Sequence, residues 1–269
     1  MRLAFVKMNG AGNDFVLLDN RSREISLSRE QIERLCDRHR GVGADGLLLV
    51  EPPATPAAQL RMRYYNRDGG EAEMCGNGAR CFARFARRLG ACGTSVVFDT
   101  KAGLVRAAFE GEGVRVALSD PRDLKLGRRI ALSRGETEVH SVNTGVPHAV
   151  VFVDDVEDVD VAALGREIRC HAEFAPSGTN ANFIQHLDGG AIRVRTYERG
   201  VEAETLACGT GVAASALIAH AQLGMPSPVA VRVQGGDTLE VRFRRSGGRF
   251  ADVALEGPAD FVFEGAIEI

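Results

Sequence analysis

The stretch YNRDGGEAEMCGNG, residues 65–78, returns in altered form as YERGVEAETLACGTG at residues 197–211. Each copy leaves a strand-like run on a tyrosine, crosses a glycine-bearing turn, and reaches Cys-Gly-x-Gly at Cys75 or Cys208 just ahead of a helix-like segment. The cysteines lie about half the chain apart, so the repeat predicts two related domains. The seam falls at SDPRD, residues 119–123, which gives an N-terminal domain of residues 1–118 and a C-terminal domain of 119–258.

Working outward from the repeat, alternating or β-branched runs predict strands at 3–8, 15–19, 47–50, 59–65, 95–99, 104–110 and 114–118. The second half repeats the style at 139–142, 149–153, 182–187 and 191–197, and strands resume from Val229. Helices are expected at 28–38, near residue 80, and at 210–223. The last of these, TGVAASALIAHAQL, is apolar nearly all round, as a helix enclosed by other structure must be. The elements show no parallel βαβ spacing, and the fold class is α+β, with a mostly antiparallel sheet wrapped about one main helix in each half.

The chemistry follows from placing a thiol at a helix start. Unpaired N–H groups and the positive end of the helix dipole lower a thiol's pKa from about 8.5. The adjoining glycines let a ligand approach the backbone, and the exposed N–H groups bind anions. An amino acid whose carboxylate is held by two such helix ends would have one sulfur on each face of its α-carbon. One thiolate can then remove the α-proton while the opposite thiol delivers another, which inverts the centre.

A lone Cys-Gly-x-Gly is equally well a capped helix with an inert thiol; the duplication is what favours chemistry. Cys36, Cys81, Cys92 and Cys170 lack the motif and read as ordinary core or surface cysteines. His148, in NTGVPH (143–148), is either a modulator of a nearby thiol's proton affinity or a hydrogen-bonded structural histidine. GVGADG (41–46) matches GxGxxG in letters, but it follows a helix and precedes a strand, the reverse of the dinucleotide-binding order, and reads as a tight turn.

Composition excludes several classes. Of 269 residues 45% are hydrophobic and 26% charged, an ordinary globular balance, and the net charge of -3 offers no field for nucleic acid. The one basic cluster, Arg242 to Arg249, holds Ser-Gly-Gly between strand-like flanks and reads as a hairpin tip. No run of about 18 apolar residues or signal-like h-region occurs, so neither membrane insertion nor secretion is expected. Six cysteines without a CxxC predict neither a zinc site nor a disulfide framework, and fit a reducing cytoplasm.

With KMNGAGNDF (7–15), NRDGGEAEMCGNGAR (66–80), NTGVPH (143–148), NAN (180–182) and YERGVEAETLACGTG (197–211) in this order, the chain resembles the diaminopimelate epimerases along almost its whole length. The resemblance implies interconversion of LL- and meso-2,6-diaminopimelate, on the route to lysine and peptidoglycan precursors, with no cofactor and no metal. It implies two pseudo-symmetric domains, each a strongly curved, barrel-like sheet around a central helix, with the tail 259–269 returning to the first domain. A cytoplasmic homodimer is the implied assembly.

By the same resemblance Cys75 and Cys208 are the acid/base pair, and His148 and Glu198 adjust their pKa values. Gly76, Asn77, Gly209 and Thr210 would hold the reacting end of the substrate, and Asn13, Asn66, Asn180, Glu198 and Arg199 the far end. Three departures stand out: Val146 where many members have asparagine, Gly46 where some have glutamine, and a segment between Arg199 and Cys208 one residue longer than is common. Proline, hydroxyproline or histidine racemases are the nearest alternatives, although proline racemases usually read Cys-Gly-His-Gly at the first motif. A redox switch in a binding protein is the alternative from another class.

Overall fold

A computed structural model describes all 269 residues, which divide into two compact units, Met1–Val116 with Gly257–Ile269, and Ala117–Glu256. No helix is long and apolar enough to cross a membrane. The first unit opens with β1 (Arg2–Gly10), β2 (Asn13–Asp19), α1 (Arg29–Cys36), β3 (Gly46–Glu51), β4 (Leu60–Asn66) and β5 (Glu71–Ala72). It continues with α2 (Gly76–Arg88), β6 (Ser95–Thr100), β7 (Gly103–Glu110) and β8 (Gly113–Ala117).

The second unit repeats this order. It starts with β9 (Arg122–Leu132), β10 (Gly135–Asn143), β11 (Pro147–Phe152), α3 (Val161–Cys170), β12 (Asn180–Leu187) and β13 (Ala191–Glu198). Then come β14 (Ala203–Thr205), α4 (Gly209–Leu223), β15 (Val229–Arg232), β16 (Thr238–Ser246) and β17 (Arg249–Gly257). Last, β18 (Asp260–Glu268) returns to pair antiparallel with β1, as β9 pairs with β10.

Most pairings are antiparallel, but the expected absence of parallel βαβ units is corrected. β2 pairs parallel with β3 across α1, and β4 with β6 across α2. In the second unit β11 pairs parallel with β12 across α3, and β13 with β15 across α4. Parallel neighbours require a crossover, and here every helix supplies one. The sheets are curved and open rather than closed barrels.

Each sheet is covered on both faces, and strand alternation decides which side chain faces which helix. In the first unit Met8, Phe15, Leu17, Leu48 and Val50 pack with Phe82 and Phe85 of α2. The residues that alternate with them, Val16, Leu18, Leu47 and Leu49, pack with Ile32 and Leu35 of α1 on the opposite face. This explains why Leu47–Val50 is apolar without a break: a strand buried on both sides has no polar side to show.

The helix α1 is amphipathic and sealed by a capping box, with Ser28 accepting from Gln31 N while the Gln31 side chain accepts from Ser28 N. α3 was not read from the sequence; its start is fixed by Asp160, which accepts from Ala163 N. In α4 every residue from Gly211 to Ala219 is buried, as an apolar surface all round requires. The basic cluster is a hairpin tip: Ser246 pairs with Arg249, and Gly247 and Gly248 take φ of 56° and 79°, the two left-handed positions of a two-residue turn.

Candidate active site

In the first unit β4 and the short β5 form a hairpin that delivers the chain to Cys75, the N-cap of α2. Its backbone is extended, and its sulfur accepts a hydrogen bond from Gly78 N at 3.5 Å. The sulfur therefore takes one of the N–H groups left open at the first turn of a helix, an arrangement that favours the thiolate.

Behind this cap lies a chain of side chains whose hydrogen-bond direction is fixed at both ends. The guanidinium of Arg80, fully buried in α2, donates through Nε to Pro258 O (3.1 Å) and through Nη2 to Asn77 Oδ1 (2.9 Å). Asn77 Nδ2 in turn donates to Asn13 Oδ1 at 2.5 Å, and Asn13 Nδ2 to the Asp45 carboxylate at 3.1 Å. Arg38 bridges Asp45 and Asp14, and Lys7 pairs with Asp14 at 2.7 Å. Although burial opposes it, hydrogen bonds from Arg38 and Lys7 hold the Asp14 carboxyl well below the usual range. A guanidinium can only donate and a carboxylate only accept, so both asparagine amides have one possible orientation.

In the second unit Cys208 is the N-cap of α4, buried at 8% exposure, but its side chain makes no capping bond. It lies instead 3.6 Å from Thr210 Oγ1 and bonds the Glu198 carboxyl, which also accepts from Thr205 Oγ1 at 2.9 Å. Burial raises the pKa of Glu198, against the opposing pull of Thr205 and Cys208. His148 is 1% exposed and reaches Thr210 Oγ1 with Nε2 at 2.9 Å. Burial, with the Arg199 charge acting in the same direction, holds its pKa down to about 3, so the ring is neutral at physiological pH.

Other predicted residues are placed differently from one another. Asn180, 3% exposed, donates to Pro147 O and accepts from Arg199 N, both at 2.9 Å, so it ties β11 to the end of β13. Arg199 donates to Ser177 O, and Asn66 is exposed at the end of β4. Gly76, Gly209 and Thr210 open the first turns of their helices. Of the unassigned cysteines, Cys36 and Cys81 are buried with thiols pushed up to about 12 by burial, and Cys170 is exposed. Arg80, Asp45 and Asn182 were not singled out in the sequence, because their roles depend on partners far away along the chain.

The final glycines of the two motifs differ in what surrounds them. A Cβ on Gly211 would lie 2.4 Å from Asn182 Oδ1 and 3.3 Å from His148 Cε1, whereas one on Gly78 would meet nothing nearer than 3.5 Å. Gly211→Ala is expected to cost about 1–3 kcal/mol by overpacking. Gly78→Ala is expected to be neutral or stabilising by up to about 1 kcal/mol, from helix propensity. Thermal melting of the two variants checks this, and equal melting points would contradict it.

The family profile for diaminopimelate epimerase matches residues 5–122 and 140–262. The chain belongs to the diaminopimelate epimerase family. The diaminopimelate epimerase of Aquifex aeolicus is 43% identical over 98% of both chains, and that of a Hydrogenobaculum species 40% identical over 98% of both. Among solved structures, a phenazine biosynthesis protein of the PhzF family from Bacillus anthracis superposes with a TM-score of 0.76 at 16% identity, covering all of both chains. That likeness is one of fold.

Family membership gives the departures a structural meaning. At Gly46 a Cβ would lie 2.6 Å from Tyr65 O and 2.7 Å from the Tyr64 ring, so glutamine here would require β3 and β4 to move apart. Val146 is half-buried in a turn where Thr144 N bonds its carbonyl at 3.2 Å. The segment before Cys208 closes its turn at Glu202, which has φ of 58° and accepts from Gly200 N and Arg169.

Proposed function

We propose that this chain interconverts LL- and meso-2,6-diaminopimelate by a two-base mechanism in which Cys75 and Cys208 act on opposite faces of one α-carbon. The observation that carries the reading is that each unit presents its motif cysteine at the N-cap of its principal helix, in a family of epimerases. One thiolate takes the α-proton, the other thiol returns a proton to the opposite face, and the centre inverts. A single base would tend to return the proton to the face it came from.

The energy demand is severe, since an α-C–H is more than about ten pK units less acidic than a thiol, at about 1.36 kcal/mol per unit. One well-placed oxyanion donor supplies only about 3–4 kcal/mol. Several N–H groups at the starts of α2 and α4, acting on the charge that grows on the substrate carboxylate, are therefore assigned to the reacting end with Gly76, Asn77, Gly209 and Thr210. Exclusion of water strengthens their effect. Arg199 fits a distal carboxylate, and Asn13, Asn66, Asn180 and Glu198 fit the rest of that end. The catalytic form we propose is a cytoplasmic homodimer that uses no added cofactor.

Glu198 separates stability from activity. Its carboxyl titrates higher in the folded chain than unfolded, so the fold is favoured while the group is protonated, and that advantage is lost as pH rises through the folded pKa. Glu198→Gln stays neutral and is expected to melt at or above the parent temperature near neutral pH while turning over more slowly, with a displaced pH–rate profile. A lower melting point with unchanged turnover would oppose that role.

The reading itself is tested by supplying LL-diaminopimelate to purified, reduced protein without added cofactor and resolving the stereoisomers, with proline, histidine and lysine in parallel. Formation of meso-diaminopimelate alone supports it. Racemisation of proline or histidine in its place would move the chain to another substrate, and no turnover of any would leave the redox-switch alternative.

A further inference from the structure

His148 and Thr210 stand next to Cys208, and the direction of the hydrogen bonds between them is set by a fourth residue, Asn182 on β12. Strand alternation turns Asn182 away from Ala181 and Phe183, which pack in the cluster with Ile168 of α3, and toward the first turn of α4. There it is fully buried, with partners for both its nitrogen and its oxygen. Its Nδ2 donates to Ala149 O at 2.9 Å and lies 3.2 Å from His148 Nδ1, and its Oδ1 accepts from Thr196 Oγ1 at 3.0 Å.

A backbone carbonyl can only accept, so Ala149 O fixes which end of the Asn182 amide is nitrogen; the flipped amide would set two oxygens against each other. The remaining Nδ2 proton then points at His148 Nδ1, which must present a lone pair. The ring proton is left on Nε2, 2.9 Å from Thr210 Oγ1. With its oxygen accepting from that N–H, the threonine hydroxyl has its own single proton to give, and Cys208 Sγ is 3.6 Å away.

We infer that Asn182 is a positioning residue that locks His148 as its Nε2–H tautomer, so that the Thr210 hydroxyl donates to Cys208 Sγ and favours the thiolate there. The inference rests on Cys208 being one of the two acid/base thiols. It deepens the role of His148: the histidine does not exchange a proton with the cysteine, but sets the polarity of a hydroxyl. Burial keeps the ring neutral, which the chain of donors and acceptors requires, since an imidazolium would face Asn182 Nδ2 with a second donor. The charged groups acting on this chain are Arg199, whose charge disfavours protonation of His148, and Glu198, whose carboxyl bonds Cys208.

Two measurements on the reduced full-length chain need no substrate, so they stand apart from the identity of the reaction. Two-bond proton–nitrogen spectra of the protein labelled with ¹⁵N-histidine are expected to show His148 as the Nε2–H tautomer; the Nδ1–H form would overturn the inference. Alkylation of Cys208 by iodoacetamide, followed against pH by peptide mass spectrometry, reads its thiolate directly. Thr210→Val is expected to raise the midpoint by about one pH unit, the effect of losing a single hydrogen bond to a charged group. Thr210→Ser is expected to restore it, and Asn182→Leu to raise it in the same direction with mixed histidine tautomers. An unchanged midpoint in Thr210→Val would overturn the inference even if Asn182→Leu fails to fold.

Discussion

Cys75→Ala and Cys208→Ala are each expected to lower epimerisation of diaminopimelate by at least about a thousandfold, within the range that a single acid or base contributes. Inversion by two bases has no partial version: with either sulfur gone, one face of the α-carbon has no proton acceptor or donor. The folding cost should be small and unequal. Cys75 accepts from Gly78 N as a helix cap, so its loss should cost about 1 kcal/mol. Cys208 makes no capping bond, so its loss should cost less on that account. Stereoisomer analysis with thermal melting in parallel separates the two effects, and full activity in either variant would rule out the two-base scheme.

The second large effect lies in stability. Arg80→Leu removes a fully buried guanidinium that donates to both Pro258 O and Asn77 Oδ1. Each charge-assisted bond contributes about 1.5–3 kcal/mol, so the variant is expected to lose about 3–6 kcal/mol. Pro258 belongs to the segment that returns to the first unit, so α2 and the start of β18 should loosen together. Asn77 Oδ1 would also lose its donor, leaving the Asn77–Asn13 pair held only from the Asp45 end, so weakened substrate affinity should accompany the lower melting point. A melting point within a degree of the parent, or a lower one with unchanged KM, would contradict this account.

Much of this was legible from local pattern. The repeated Cys-Gly-x-Gly placed both thiols at helix starts, and the uniformly apolar 210–223 segment announced an enclosed helix, because burial and capping are written in neighbouring residues. α1 was legible from Ser28 and Gln31, but its function as a crossover was not, since pairing between β2 and β3 is a contact at a distance. α3 was hidden by the acidic run before it, in which Asp160 is a cap rather than a loop residue. Asn180 read as a substrate ligand, and its amide proves to be engaged with the backbone at Pro147 and Arg199. Asn182, two residues on, has no sequence signal separating it from Asn180. What sets it apart is its contact with His148 and Ala149 O on β11 and with Thr196 on β13, the two strands that flank its own.

The central claim is that two thiols act from opposite faces, and the isotope at the inverted carbon tests it most directly. LL-diaminopimelate is supplied to reduced protein in deuterium oxide and sampled before equilibrium. The account predicts meso product carrying one deuterium at the inverted α-carbon, while recovered LL substrate carries little. Deuterium appearing in recovered substrate as fast as in product would mean that one base serves both faces, and would contradict it.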